Sequence, residues 1–391
     1  MSIKKLISFC TILIFHSIFI SFKPGYAISQ YIQTLCALLE IAFLFRYVGW
    51  AWNKYRTIIL LIILYMCSMC VSTYLSYNDI ILPENVLANQ YVPLKYSLQL
   101  FGIMLLVSTA NKYNMANIIY RNLYVCTLLY VIVTDVYILT LPSNTDSSFI
   151  FLFGNKFWIA YLNILLVAFI YYNQLTKHRD GVKDKLIFFL ILGMMFCVLK
   201  HADSTTGCLG TALFAIFILF KKKLFSLFDR RSFLTSSILI LDIGFLAFLI
   251  FILSLPYIQY FIVEILHKDL SLNGRIYIYE LLQQIIFIRP WFGFGCDNGY
   301  KAMVILLDTN NAQNGLIYNY LDIGFIGCII FLLLLYNISK YRISSIYNFP
   351  IYIYLYLMIL FSTYEITLSN SFLCISFLLL LNTYKNNHSL R

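Results

Sequence analysis

Apolar stretches of membrane-crossing length follow one another along almost the whole chain, separated by short polar connections. A helix rises 1.5 Å per residue, so about 20 apolar residues cross the hydrocarbon. Such runs lie at Leu6–Phe22, Ile28–Phe45, Thr57–Leu75, Leu94–Thr109, Asn117–Leu141 and Phe157–Tyr172. They continue at Leu186–Leu199, Thr206–Phe220, Leu234–Leu255, Gly315–Tyr336, Pro350–Tyr364 and Leu368–Tyr384. The expected fold is therefore all-α: a polytopic integral membrane protein of about twelve transmembrane helices, with residues 1–391 forming one domain.

The longest interval without such a run is 256–314, a loop that must stand in water or at the bilayer surface. Within it, Ser271 and Asn273 can cap a helix over 274–288, and Pro290 ends that helix by disfavouring helical geometry at Arg289. Its polar positions, Arg275, Glu280, Gln283 and Gln284, stand among Ile, Leu, Tyr and Phe, which suits a helix lying in the membrane interface. In the PWFGFG stretch that follows, Gly293 and Gly295 allow the backbone to bend tightly among aromatics.

Composition agrees with the pattern, since 61% of the 391 residues are hydrophobic and only 12% are charged, a balance no soluble domain has. The 32 tyrosines fit interfacial belts first and sugar-stacking surfaces second. Nine of the ten cysteines fall inside expected spans, leaving Cys296 in the loop, so no disulfide framework is implied. Cys67 and Cys70 form a CxxC inside an apolar span with no histidine nearby, which argues against metal or redox work.

The net charge of +11 matters less than where the positive residues sit. With both termini cytoplasmic, 20 of the 28 Lys and Arg fall on cytoplasmic connections, as the positive-inside rule requires. The 256–314 loop then faces outward. The eight exceptions are Lys23, Lys95, Lys156, Lys200, Lys268, Arg275, Arg289 and Lys301. Arginine grips phosphate through a bidentate fork and lysine as a point charge, so a lipid-pyrophosphate site could recruit them; the plainer reading is snorkelling to headgroups. On a straight helix Arg275 and Arg289 stand about 21 Å apart, so they serve different groups. Arg275 and Arg289 lead this set, with Lys156 and Lys200 as further phosphate binders.

Four acids lie inside expected spans: Glu40, Asp135, Asp242 and Asp322. A charge at that depth is costly and marks function by default. By helical rise Asp135 and Asp322 sit about 10 and 12 Å below the outer surface, close enough in depth to line one outward cavity. His201 and His267 are the outward histidines. Glu280 and Asp297 read as solvated loop positions, and no outward histidine or acid cluster suits a metal.

SLNGR, a helix, RPWFGFG and then QNGLIYNYLDIGFIG together resemble the signature region of the bacterial O-antigen ligase and polysaccharide-polymerase membrane superfamily. In that family a Gly-Arg pair opens a surface helix in the large external loop and a Pro and Gly-Gly turn closes it. A His-Asn followed by Gly-x-x-Gly then enters the next span. Here Gln313 stands where the family has its histidine, followed by Asn314, and an acid common before Gly-x-x-Gly is matched by Asp322. FGNKFWIAYLN around Lys156 and ADSTTGCLG around Ser204 are weaker matches.

Glutamine cannot act as a general base, which favours a repeat-unit polymerase over a ligase. The resemblance implies a metal-independent glycosyltransferase without cofactor at the outer face of the bacterial cytoplasmic membrane. It would join undecaprenyl-pyrophosphate-linked oligosaccharides into O-antigen, capsule or exopolysaccharide. Arg275, Arg289 and Asp322 are its expected catalytic residues; Lys156, Lys200, His201, Asp135, Gln313 and Asn314 bind substrate, and Tyr277, Tyr279, Trp291, Phe292 and Phe294 could stack on sugars. Membrane lipid and a chain-length regulator are candidate partners, and nothing points to nucleic acid. A ligase-type glycan transferase and a flippase or transporter are the competing functions.

Overall fold

A computed structural model describes residues 2–20, 26–77, 90–141, 150–151, 154–177, 181–228, 230–244, 255–257, 275–309, 312–341 and 346–381. The described chain is almost wholly helical; its strand pairing is a two-residue antiparallel ladder between Ile150–Phe151 and Gly154–Asn155. The helices are α1 (Ile3–Phe19), α2 (Tyr26–Leu44), α3 (Val48–Tyr77), α4 (Val92–Lys112), α5 (Ala116–Leu139), α6 (Lys156–Thr176), α7 (Val182–His201) and α8 (Thr205–Leu219). After them come α9 (Lys221–Phe228), α10 (Phe233–Ile238), α11 (Arg275–Ile286), α12 (Gly299–Leu307), α13 (Gly315–Tyr341), α14 (Phe349–Ser362) and α15 (Asn370–Ser376). Each apolar run singled out in the sequence carries a helix. Five helical segments among the described residues are long and apolar enough to cross a membrane, and shorter apolar helices stand beside them.

Local chemistry sets the boundaries. Pro93 and Pro350 sit in the first turns of α4 and α14, where a missing N–H costs nothing. Asn155 caps α6 by accepting from the amides of Phe157 and Trp158, at 3.2 and 3.1 Å. α6 and α14 are buried on nearly every face and form the centre of the bundle.

Polar side chains inside the bundle are tied to one another. Asn111 donates to the Tyr55 hydroxyl and the Leu380 carbonyl, and Gln99 to the Ser17 carbonyl. Asp242 lies in a π-helical turn, Leu239–Ile243, where Ser362 Oγ reaches both its carboxyl oxygens at 2.8 Å. Glu40 is fully buried beside Gly102, and among the described residues neither of its carboxyl oxygens has a hydrogen-bond partner.

Two expectations change. The Gly315–Tyr336 run is not one continuous helix, because α13 breaks at Gly324, with φ 66° and ψ −171°. An unbroken helix would pair the amides of Phe325 and Ile326 with the carbonyls of Leu321 and Asp322. The turn after α11 supplies substitutes for all four groups. Phe294 and Gly295 amides donate to Leu321 O and Asp322 O at 2.6 and 3.0 Å, and Phe325 and Ile326 amides donate to Pro290 O and Trp291 O at 2.8 and 3.2 Å.

The second change concerns the loop, which is not confined to water or the bilayer surface. Residues 293–296 are buried, and α3 receives them: Thr73 Oγ1 accepts from the Cys296 amide at 3.1 Å, and Ser72 Oγ donates to Asp322 O at 2.6 Å. Buried irregular backbone is tolerated when protein groups satisfy it in this way. The loop helix itself is present as α11, whereas its expected caps Ser271 and Asn273, and also His267 and Lys268, lie outside the described residues.

Close backbone approach explains the glycines. A Cβ on Gly293, whose φ is +70°, would stand 2.6 Å from Leu321 O and 2.7 Å from the Asp322 carbonyl carbon. One on Gly324 would strike the backbone of Trp291 and Phe292. Gly293→Ala and Gly324→Ala should each destabilise the protein by about 1–3 kcal/mol, from the left-handed φ alone, and more where the clash cannot relax. Gly49→Ala, with open space at its Cβ position, should change little. Thermal unfolding in detergent checks both.

Candidate functional site

The docked turn closes one wall of a cavity of about 400 Å³. Its lining comes from neighbouring ends of several helices: Tyr65 and Met69 of α3, Tyr96 of α4, Asn155, Trp158 and Tyr161 at the start of α6, and Tyr318, Asn319 and Asp322 of α13. Asp297 of the turn, Glu365 beyond α14, and Ser369, Asn370 and Ser371 at the start of α15 complete it. Aromatic rings, amides, hydroxyls and three carboxylates share the space. Aromatic faces bind the C–H face of a pyranose, and carboxylates and amides bind its hydroxyls.

Asp322 is placed by what surrounds the break in α13. Its Oδ1 accepts from the Gly299 amide at 2.6 Å, while the Asn298 amide beside it donates to the Gly295 carbonyl at 3.0 Å. The acid thereby sits at the N-terminus of α12, where orphan N–H groups and the helix dipole favour an anion. Gly299 is needed for that approach, since a Cβ there would meet Asp322 Oδ1 at 2.7 Å.

Asp297 adopts a left-handed φ of 64° and is half-buried beside Asp322. Burial pushes its carboxyl above the ordinary aspartate range, and the Lys95 and Lys301 ammoniums offset part of that rise. Burial also lowers Lys301, with Asp297 working in the opposite direction. The Cys296 thiol is buried and pushed well up, which leaves it inert.

The other singled-out residues are scattered. Asp135 accepts from Asn163 Nδ2 at 3.2 Å and is not part of the cavity lining, so the structure does not bring it together with Asp322 as their depths suggested. Arg289 donates to Ser76 Oγ at 3.1 Å, against α3 and outside the cavity lining. Arg275 opens α11, and its side chain lies outside the described residues. Lys156 donates to the Asp203 carbonyl and stands 3.6 Å from its carboxylate; Lys200 is exposed, and His201 Nε2 meets Leu141 O at 3.0 Å.

Asn314 is fully buried: its Oδ1 caps α13 through the Ile317 amide and its Nδ2 donates to Asp242 O. The Gln313 carbonyl accepts from Tyr279 OH at 3.1 Å, with the residue itself at φ 50°. Of the aromatics expected to stack on sugars, Phe294 is buried in a separate cluster and Trp291 is exposed. The rings that do line the cavity, Tyr65, Tyr96, Trp158, Tyr161 and Tyr318, sit inside apolar spans, where nothing in their spacing separates them from packing residues. Glu365 carried one signal, an acid at the end of an apolar run.

No known protein family matches this chain, and no curated protein matches it. Fold and cavity together define a helical protein with several membrane-length apolar helices and a polar, aromatic-lined chamber at one end.

A carboxyl raised by folding contributes stability that is complete below its unfolded pKa and is lost as pH rises through the folded one. Asp297→Asn should therefore gain stability relative to wild type as pH rises from the acid side to neutrality. Thermal midpoints of both proteins between pH 4 and 8 check the sign; a gap that narrows with rising pH contradicts it.

Proposed function

We propose that the chain is a membrane glycan polymerase. It joins undecaprenyl-pyrophosphate-linked oligosaccharide repeat units into O-antigen, capsular or exopolysaccharide at the outer face of the bacterial cytoplasmic membrane, about twelve passes anchoring it with both termini inside. The observation that carries this reading is the chamber lining, in which Trp158, Tyr161, Tyr96 and Tyr318 face the same space as Asp297, Asp322, Glu365 and Asn370. That mixture suits sugar rings better than an ion path or an apolar ligand. The resemblance of the RPWFGFG and Gly-x-x-Gly segments supports the same chemistry.

In the reaction an acceptor hydroxyl oxygen attacks the anomeric carbon of the donor sugar. The bond from that carbon to the pyrophosphate oxygen breaks, and the pyrophosphate leaves with the electron pair. A carboxylate takes the hydroxyl proton. Asp297 is assigned this role, because it lines the chamber and stays partly exposed there, whereas Asp322 is buried and tied to the Gly299 amide. Asp322, held by the Gly299 amide, positions the turn that carries Asp297. The protein otherwise contributes alignment of two membrane-bound substrates. Arg289 braces the turn through Ser76, and Arg275 is left for the second lipid-linked chain.

Cells lacking the protein, complemented with wild type or with Asp297→Asn, give the test on a gel of surface and lipid-linked glycan. Wild type should restore a ladder from capped single repeat units, and Asp297→Asn should reduce polymer by about 10²–10⁴-fold, the usual worth of a general base. Long lipid-linked chains that miss their acceptor in the deleted strain would mean a ligase, and repeat units held on the cytoplasmic side a flippase.

A further inference from the structure

The chamber holds three carboxylates, so it repels the diphosphate of the donor it is proposed to serve. That group needs a cation at the edge. Lys95, in the first turns of α4, is only 7% exposed, stands over the Tyr96 ring at 4.7 Å and makes no ion pair with any described carboxylate. It lines a cavity together with Tyr96, Trp158 and Asn370 of the chamber wall, so it lies on the chamber's flank.

Two further cavities meet at Lys95. The inner one, about 140 Å³, shares Tyr96, Trp158, Ser369, Asn370 and Ser371 with the chamber and adds Gln33 and Gln99. The outer one, about 350 Å³, runs between α2 and α4 along Gln30, Tyr31, Thr34, Tyr91 and Leu94. It opens beside the exposed apolar face of α2, where Tyr31, Leu35 and Leu38 are uncovered. At the inner junction the buried Asn370 Oδ1 has no hydrogen-bond partner among the described residues, while its amide nitrogen donates to Gln99 at 2.7 Å.

The order along this path is an apolar groove, a buried cation, an unfilled acceptor and then an aromatic and carboxylate chamber. A polyprenyl diphosphate sugar has its parts in the same order: tail, diphosphate, hydroxyl-bearing ring. We infer that Lys95 is the diphosphate-binding residue of a lipid-linked glycan that enters sideways between α2 and α4. The tail lies along Tyr31 and Leu94, and the first sugar donates a hydroxyl to Asn370 Oδ1. This rests on the polymerase reading for the identity of the lipid but not for the path.

The experiment is native mass spectrometry of the full chain in nanodiscs, titrated with undecaprenyl diphosphate and, separately, with phosphatidylglycerol. Lys95→Gln should weaken undecaprenyl diphosphate binding at least about tenfold, Lys95→Arg should retain it, and Lys112→Gln at the other end of α4 should leave it unchanged. Leu94→Trp, a change at an exposed position, should block the groove and cost the same affinity without depending on the buried lysine. Equal binding by wild type, Lys95→Gln and Leu94→Trp overturns the proposal, and so does phosphatidylglycerol binding as tightly as the diphosphate lipid, which would mark an ordinary headgroup site. Lys95-dependent binding in a protein whose deletion leaves glycan chain length unchanged would keep the path and remove the polymerase.

Discussion

Two carbonyls and two amides lose their helical partners where α13 breaks at Gly324, and the turn from Pro290 to Gly295 satisfies all four. Each such group left unpaired in a buried setting costs about 1–3 kcal/mol. Break and turn are therefore stable only together. Gly293 and Gly324 let the two backbones approach, and no side chain could stand at either point of contact. The loop is thus part of the bundle's interior, gripped by Ser72, Thr73 and Ser76 along one face of α3.

The chamber follows from that docking. With the turn in place, the first amides of α12 face Asp322, and Asp297 is carried to the cavity wall. The charges are then divided by position: carboxylates inside the chamber, Lys95 and Lys301 near Asp297 at its edge, Arg289 outside the lining.

Much of the fold was legible from the chain. Apolar runs located the helices, Pro290 located the end of α11, and the paired glycines of PWFGFG marked the tight turn. The break in α13 was not legible, because GFIG was read as a signature motif inside one continuous apolar span, and nothing in that motif calls for a break. It becomes visible only when the turn's amides and carbonyls are seen to replace those the helix lost. The site was legible in part: Asp322 was found by the cost of burying a charge, and it does line the chamber. Asp297 was read as solvated because it lies in the large loop, whereas the fold half-buries it. Depth along separate helices could not pair Asp135 with Asp322, since depth says nothing about which faces meet. Asn314 was read as a ligand and serves as a buried cap, a use of asparagine that sequence alone shares with binding.

The 290–298 turn is built into the bundle by backbone pairing across the break in α13. Hydrogen–deuterium exchange on the full protein in nanodiscs measures this directly at the amides of Phe294, Gly295, Phe325 and Ile326. Slow exchange at all four, comparable to the interior of α14, is the predicted result. Fast exchange at Phe294 and Gly295, at the rate of an open loop, would contradict it.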